Sequence, residues 1–388
     1  MELLTLRSEL PATAGAFHVQ EEHLNLRTPG PIPVPQEGAE AGAAPMMNHR
    51  GPEFAAMLAR CEEGLREVYR TDNHVAILTA SGTGGMEAAV VNHVSPGERV
   101  LVVTIGVFGE RFLDLIRIYG GDPVHLAFEY GSGADPNAID EALAANDDIR
   151  TVFVTHNETS TGATNPLEEI AGVVKGRDRL LIVDAISSLS SIPVETDAWG
   201  LDVVVSGSQK GWMLPPGLAF VSVSDRAWEV QEQCATPRAY LDLRRAKNSA
   251  ANGQTPWTPA VSLFYQLDRA LALLREEGVE QVWARHRATA ARVRAGLQDL
   301  GLDLFAEEAV RSDTVTSILP PDGLKADELR RIAREEFDTV FAGGQGSMGG
   351  KIFRFGHLGY TTDDDIDGAL GAIEGALARL GHAVPARG

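Results

Sequence analysis

Between residues 75 and 223 the chain alternates apolar runs with amphipathic stretches. The runs 75–79, 100–104, 123–127, 151–155, 180–184, 201–205 and 217–223 are rich in Val, Ile and Leu with few polar interruptions. That is the pattern of strands covered on both faces. Between them, residues 84–93, 109–119, 137–145 and 166–175 place apolar side chains at helical spacing. Strands alternating with helices predict an α/β fold built on a mainly parallel sheet. Upstream, Pro52 to Tyr69 predicts a helix with Phe54, Met57, Leu58, Cys61, Leu65 and Val68 on one face. Residues 29–35 carry four prolines, which fix φ and remove backbone donors, so this stretch is an extended loop. The Gly/Ala/Glu-rich stretch 36–45 predicts loop grading into weak helix.

From about residue 260 the texture changes. Ser262–Glu277 and Val279–Leu300 predict two long amphipathic helices, and shorter elements follow at 314–319, 325–336, 339–341, 351–355 and 363–380. The expected division is an N-terminal extension over residues 1–22, a large domain over 23–270 and a smaller C-terminal α+β domain over 271–388. A chain of 388 residues is long enough for that and for a large core.

Composition narrows the function classes. Hydrophobic residues make up 44% and charged residues 23%, the balance of a soluble globular protein. A formal net charge of −20 argues against nucleic acid and anionic membranes as partners. No apolar stretch approaches the ~20 residues needed to cross a bilayer. The first twenty residues lack the basic start and apolar core of a signal peptide. The two cysteines, Cys61 and Cys234, form neither a disulfide framework nor a metal-ligand spacing. A cytoplasmic protein without a metal is therefore expected.

The chemistry starts at two strand ends. Leu180–Asp184 predicts a buried strand ending in a carboxylate, and the run from Leu201 to Lys210 a second strand ending in a small-residue turn and a lysine. An acid and an amine at neighbouring strand ends suit pyridoxal 5'-phosphate, which needs a lysine for its Schiff base and an acid to keep its ring nitrogen protonated. Alone, Lys210 would be a solvated loop lysine, whereas Asp184 at a buried strand end needs a cationic or hydrogen-bonding partner, such as a protonated pyridine nitrogen, or else caps the turn. Other stretches bear on the choice. Thr79–Gly85 follows a strand and opens a helix, the arrangement of an anion cradle or of a Ser81- or Thr83-capped turn. Gly106–Gly109 sets Phe108 at a strand end, either to stack on a flat ring or to fill the core. Phe353–Gly359 embeds Arg354 in an aromatic strand, where its planar fork awaits a carboxylate or an internal ion pair. The order of these stretches along the chain favours the cofactor.

From about residue 25 to 380 the chain resembles the class V aminotransferases, pyridoxal-phosphate enzymes of fold type I, in the alanine–glyoxylate and serine–glyoxylate branch. The resemblance rests on Thr28–Pro31, Asn48–Phe54, Ser81–Gly84, Thr159–Gly162, Val183–Asp184, Ser206–Lys210, Thr255–Pro259 and Phe353–Gly356. It implies that Lys210 forms the Schiff base and carries the proton, and that Asp184 pairs with the pyridinium nitrogen. Phe108 would stack on one ring face and Ile186 pack on the other. Ser160 would contact the ring hydroxyl and the substrate carboxylate region. Ser81, Gly82, Thr83 and Gln209 would hold the phosphate, with Thr255 and Thr258 supplied across a homodimer. The better-known animal members carry a tyrosine where this chain has Thr255. Arg354 would bind the substrate α-carboxylate, helped by the backbone at Gly30. The implied reaction is ping-pong transamination from a small L-amino acid such as alanine or serine to a 2-oxo acid such as glyoxylate or pyruvate. Aspartate, ureidoglycine or an aminophosphonate are further donors. A lyase or epimerase on the same scaffold, or a non-catalytic relative, is the competing expectation. A cysteine desulfurase fits poorly, because the surroundings of Cys234 do not resemble a catalytic cysteine loop.

Overall fold

The computed structural model describes residues 24–383. The expected N-terminal extension, residues 1–22, lies outside the described residues. The strands are β1 (Asn25–Arg27), β2 (His74–Leu78), β3 (Arg99–Thr104), β4 (Asp122–Ala127), β5 (Thr151–Thr155), β6 (Asn157–Glu158), β7 (Ala163–Thr164), β8 (Leu180–Asp184), β9 (Val203–Gly207), β10 (Ala219–Val223), β11 (Val315–Ile318), β12 (Thr339–Gly343) and β13 (Phe353–Gly356).

Seven of them form the main sheet in the order β2-β10-β9-β8-β5-β3-β4. All its pairings are parallel except those of β10, which runs antiparallel to both neighbours. The α/β expectation holds. Within β8, Leu181 and Val183 join one apolar cluster and Leu180 and Ile182 another. The sheet is therefore covered on both faces, which accounts for the unbroken apolar runs.

A second, four-stranded sheet has the order β1-β12-β13-β11. Its core contains Phe341, Phe353 and Phe355, whose rings meet edge to face at 5.3–5.8 Å. The helix Val261–Glu277 buries Phe264, Leu267, Leu271 and Leu274 in the large core. The next helix, Val279–Asp299, has Val282 in the large core and Val293 and Leu297 in the small one. The change of partners thus falls inside that helix, downstream of residue 270, and β1 pairs in parallel with β12, placing residues 25–27 on the small sheet. A three-residue strand pairing with a segment so distant leaves no periodicity in the sequence.

The pattern also missed helices Thr196–Trp199, Asp225–Gln233 and Leu243–Ala250. The second buries only Ala227, Trp228 and Gln231, and the third only Leu243 and Ala246. Such short polar helices lack an apolar stripe and depend on caps. Ser224 accepts from the Ala227 N–H, and Asp242 from Arg244 and Arg245.

The segment after β9 is fixed by packing. Trp212 is fully buried, edge-on to Phe220 at 5.0 Å and beside Tyr69 at 5.9 Å. Its indole N–H donates to Ser206 Oγ at 2.8 Å. The Met213 N–H donates back to the Lys210 carbonyl at 2.9 Å. Removing the Trp212 ring would cost about 3–5 kcal/mol, and with it the anchor of the turn carrying Lys210.

Candidate active site

Parallel strands end together, so β5, β8 and β9 deliver their C-terminal residues to one edge of the main sheet. Asp184 closes β8, and Lys210 follows β9 by three residues. Both line a cavity of about 230 Å³. Of the residues singled out in the sequence, Gly30, Gly82, Thr83, Phe108, Asp184, Ile186, Gln209 and Lys210 line that cavity. Ser81, Ser160, Arg354, Thr255 and Thr258 are not part of its lining.

Lys210 is buried, and its Nζ donates to the Pro29 carbonyl at 2.5 Å. A Cβ added at Gly30 would lie 2.7 Å from that nitrogen, so the Pro-rich segment rests directly on the lysine. Gly30 also has φ +129, a conformation open to glycine and strained for other residues. Burial and the Arg354 charge bring the Lys210 ammonium down to about 8, with Asp184 acting in the opposite sense. Asp184 is 3% exposed, and burial lifts its carboxyl to about 7 against the Ile186 N–H, which donates to Oδ1 at 2.9 Å.

The residues fit a phosphorylated pyridine. Ser81 caps the helix Gly82–His93 without a side-chain hydrogen bond, and Gly82 and Thr83 of the first turn, where helix N–H groups lack intrahelical acceptors, line the cavity. Gln209 Oε1 is buried without a hydrogen-bond partner. A Cβ at Gly82 would lie 2.8 Å from Ile186 Cδ1, and one at Gly207 only 3.0 Å from Gly82 Cα. These two glycines let the helix start, β9 and Ile186 close on one another around a flat slot. Phe108 forms part of the same wall.

Arg354, on β13 of the small sheet, is 5% exposed. Its Nε donates to the Gly343 carbonyl at 2.8 Å and its Nη1 to the Thr159 carbonyl at 2.9 Å. Burial brings its pKa down to about 10, with the Glu158 charge opposing. Ser160 is fully buried, its hydroxyl donating to Glu158 Oε1 at 2.5 Å and accepting from the Val107 N–H at 3.1 Å. Thr255 is buried and donates to the Trp257 carbonyl, while Thr258 is exposed.

Sequence reasoning missed Arg111 and Asn157, which line the cavity together with Thr159 of the stretch Thr159–Gly162 and Ser187, which follows Ile186. Arg111 stands one helical turn after Phe108. It donates to Thr83 Oγ1 at 2.9 Å, and its guanidinium carbon lies 4.9 Å from the centre of the Phe108 ring. The i, i+3 spacing from an aromatic already singled out was the available signal. Asn157 Nδ2 donates to Ser187 Oγ at 2.8 Å and to Thr314 Oγ1 at 2.9 Å, and Thr159 Oγ1 donates to Ser187 Oγ at 2.8 Å. Those contacts are set by the fold and leave no sequence pattern.

The family model described as Aminotransferase class-V matches residues 37–366. The chain is 40% identical over 365 residues to the "Soluble hydrogenase 42 kDa subunit" of Anabaena cylindrica, covering 93% of this chain and 95% of that protein. It is 38% identical over 362 residues to the L-aspartate–glyoxylate aminotransferase of Paracoccus denitrificans, covering 91% of each. Among solved structures, the pyridoxamine-pyruvate aminotransferase of Mesorhizobium loti superposes with a TM-score of 0.89 at 32% identity, over 92% of this chain and 93% of the other.

Proposed function

The chain belongs to the class-V aminotransferase family, and from that premise we propose that it is a pyridoxal-phosphate-dependent transaminase. It moves the amino group of a small L-amino acid to a 2-oxo acid such as glyoxylate or pyruvate. The observation that carries this reading is the convergence of Asp184 and Lys210, from adjacent strand ends, on one cavity walled by Phe108 and Ile186. Relatives named for aspartate–glyoxylate and pyridoxamine–pyruvate transfer support the acceptor class. The hydrogenase name belongs to its own protein; the residues converging here support amino-group transfer.

In this reading Asp184 holds the pyridine nitrogen and Gln209, Thr83, Ser81 and the N–H groups at Gly82 and Thr83 hold the phosphate. When bound, the cofactor supplies an electron sink for the carbanion formed at the donor's Cα. Lys210 Nζ would leave the Pro29 carbonyl, take the proton from the donor Cα and deliver it to the cofactor's C4′. Arg354 orients the α-carboxylate. Phe108 and Ile186 would hold the ring between them and exclude water from its faces. Ser160 steadies the Phe108 side of the slot through the Val107 N–H. Gly30 lets the Pro-rich segment close over the lysine.

Active sites completed across a homodimer follow from the same reading, with Thr255 and Thr258 of the partner subunit reaching the phosphate. Between those threonines in sequence, Trp257 stacks on Tyr240 at 5.8 Å, with both side chains exposed. No helix among the described residues is long and apolar enough to cross a membrane. The free thiols Cys61 and Cys234 fit a reducing, cytoplasmic compartment.

A donor and acceptor screen tests the proposal. Purified protein is loaded with pyridoxal 5'-phosphate, amino acids are added singly, and loss of the visible cofactor band is followed by release of the matching 2-oxo acid. Recovery of the band on adding glyoxylate or pyruvate completes the cycle. A cofactor band that no amino acid bleaches would sink the transaminase reading.

A further inference from the structure

The helix Val107–Ile118 starts at Gly106, which has no side chain with which to cap it. Three first-turn N–H groups nevertheless find acceptors about fifty residues along the chain. The Phe108 and Gly109 N–H groups donate to Glu158 Oε2 at 3.1 and 3.2 Å, and the Val107 N–H donates to Ser160 Oγ at 3.1 Å. The other carboxylate oxygen of Glu158, Oε1, accepts from the Ser160 N–H at 3.1 Å and from its hydroxyl at 2.5 Å. Glu158 is 0% exposed. Burial pushes its carboxyl up, and the four donors on its two oxygens oppose that shift.

The glycine at 106 has a specific reason here. A Cβ at that position would lie 2.4 Å from Glu158 Cγ and 2.6 Å from Ser160 Oγ. Gly106 therefore clears the space into which the carboxylate is pressed. The turn that Glu158 opens also holds Arg354, whose Nη1 donates to the Thr159 carbonyl. One buried side chain thus ties the helix start bearing Phe108 to the turn that seats Arg354.

We propose that Glu158 is a positioning residue for amino transfer: its carboxylate replaces the missing side-chain cap of the helix Val107–Ile118 and sets the Phe108 wall and the Arg354 fork at a fixed separation. This rests on the transaminase reading above. Loss of the tie should shift the two groups relative to each other, and a misplacement on the order of 1 Å is associated with losses of roughly 10²-fold.

Three measurements test it. In wild-type protein, the Phe108 and Gly109 amides should exchange slowly with solvent, although N-terminal amides of a helix are usually unprotected. E158Q keeps the volume and removes the charge, turning an N–H group toward existing donors. It should weaken equilibrium binding of pyridoxal 5'-phosphate to the apoprotein by about tenfold and lower donor kcat/KM by roughly 10²-fold. G106A pushes on the same carboxylate from the other side and should reproduce both losses with Glu158 intact. Fast exchange at Phe108 and Gly109 overturns the proposal without any variant. So do folded E158Q and G106A proteins with wild-type cofactor affinity and kcat/KM. If wild-type protein binds the cofactor and turns over while these results fail, only the role of Glu158 falls. If wild-type protein captures no cofactor, the transaminase reading itself falls.

Discussion

The candidate site draws on two sheets that differ in what they contribute: the cavity is lined from the large one, and Arg354 of the small one reaches it through the Thr159 carbonyl. The seven-stranded sheet presents Asp184 and Lys210 from the ends of strands buried on both faces. The four-stranded sheet presents Arg354 from β13, beside the glycine-rich stretch 343–350. On the first, both ionisable groups are displaced toward neutrality, the carboxyl up and the ammonium down. On the second, the guanidinium is held by backbone carbonyls and is a cation at neutral pH. The difference suggests a division of labour, with proton chemistry on the stiff sheet and carboxylate recognition on the small one.

That division breaks most visibly at Lys210. K210A should lower turnover by about 10⁴-fold or more, at the upper end of what a positioned acid–base supplies, and should abolish the covalent cofactor band. Turnover unchanged in K210A would end the assignment. D184N should fall next, by about 10²–10³-fold in kcat, because it removes the charge that keeps the ring nitrogen protonated. Its donor KM should change little. A D184N enzyme impaired mainly in KM would mean that the two sheets do not divide the work in this way.

How much of this was legible follows from particular residues. Asp184 could be found because it ends the unbroken apolar run Leu180–Val183, and Lys210 because it closes the small-residue turn after Val203–Val205. Gly82, Thr83, Phe108 and Arg354 stood in short patterns with a physical meaning. Glu158 could not be picked out, since a buried acid on a two-residue strand looks like any loop glutamate until the Phe108 and Gly109 N–H groups are brought to it. Arg111 was hidden by its helix, which reads as an ordinary amphipathic segment. β1 was hidden because its partner, β12, lies at the other end of the chain. Glu158 and β1 were concealed because their contacts are made by tertiary folding alone.

Recognition on the small sheet is sharpened by R354K and R354L. A charge-assisted hydrogen bond contributes about 1.5–3 kcal/mol, so R354L should raise donor KM by roughly 10–100-fold. R354K should recover part of the loss, because it restores the charge without the planar fork. Steady-state kinetics with a fixed acceptor separates the terms. A fall confined to kcat in R354L would place the arginine in the chemistry and erase the contrast between the sheets.

The smallest effect joins the two sheets at the lysine. Asp184, Arg354, Arg111 and Glu158 all act on Lys210: the two arginines lower its pKa and the two acids raise it. Capture of pyridoxal 5'-phosphate by the apoprotein needs the neutral amine, which grows as pH rises through about 8. Capture rates measured from pH 6 to 10 should therefore have a midpoint near 8, far below that of a solvated lysine. R354L removes a cation and should move the midpoint up, leaving less neutral amine at a given pH. D184N removes an anion and should move it down. Opposite displacements would mean that the small sheet tunes the nucleophile held by the large one, so that recognition and chemistry are separate in position but coupled in charge. Displacements in the same direction would indicate that burial of the lysine, disturbed by either substitution, controls its ionisation.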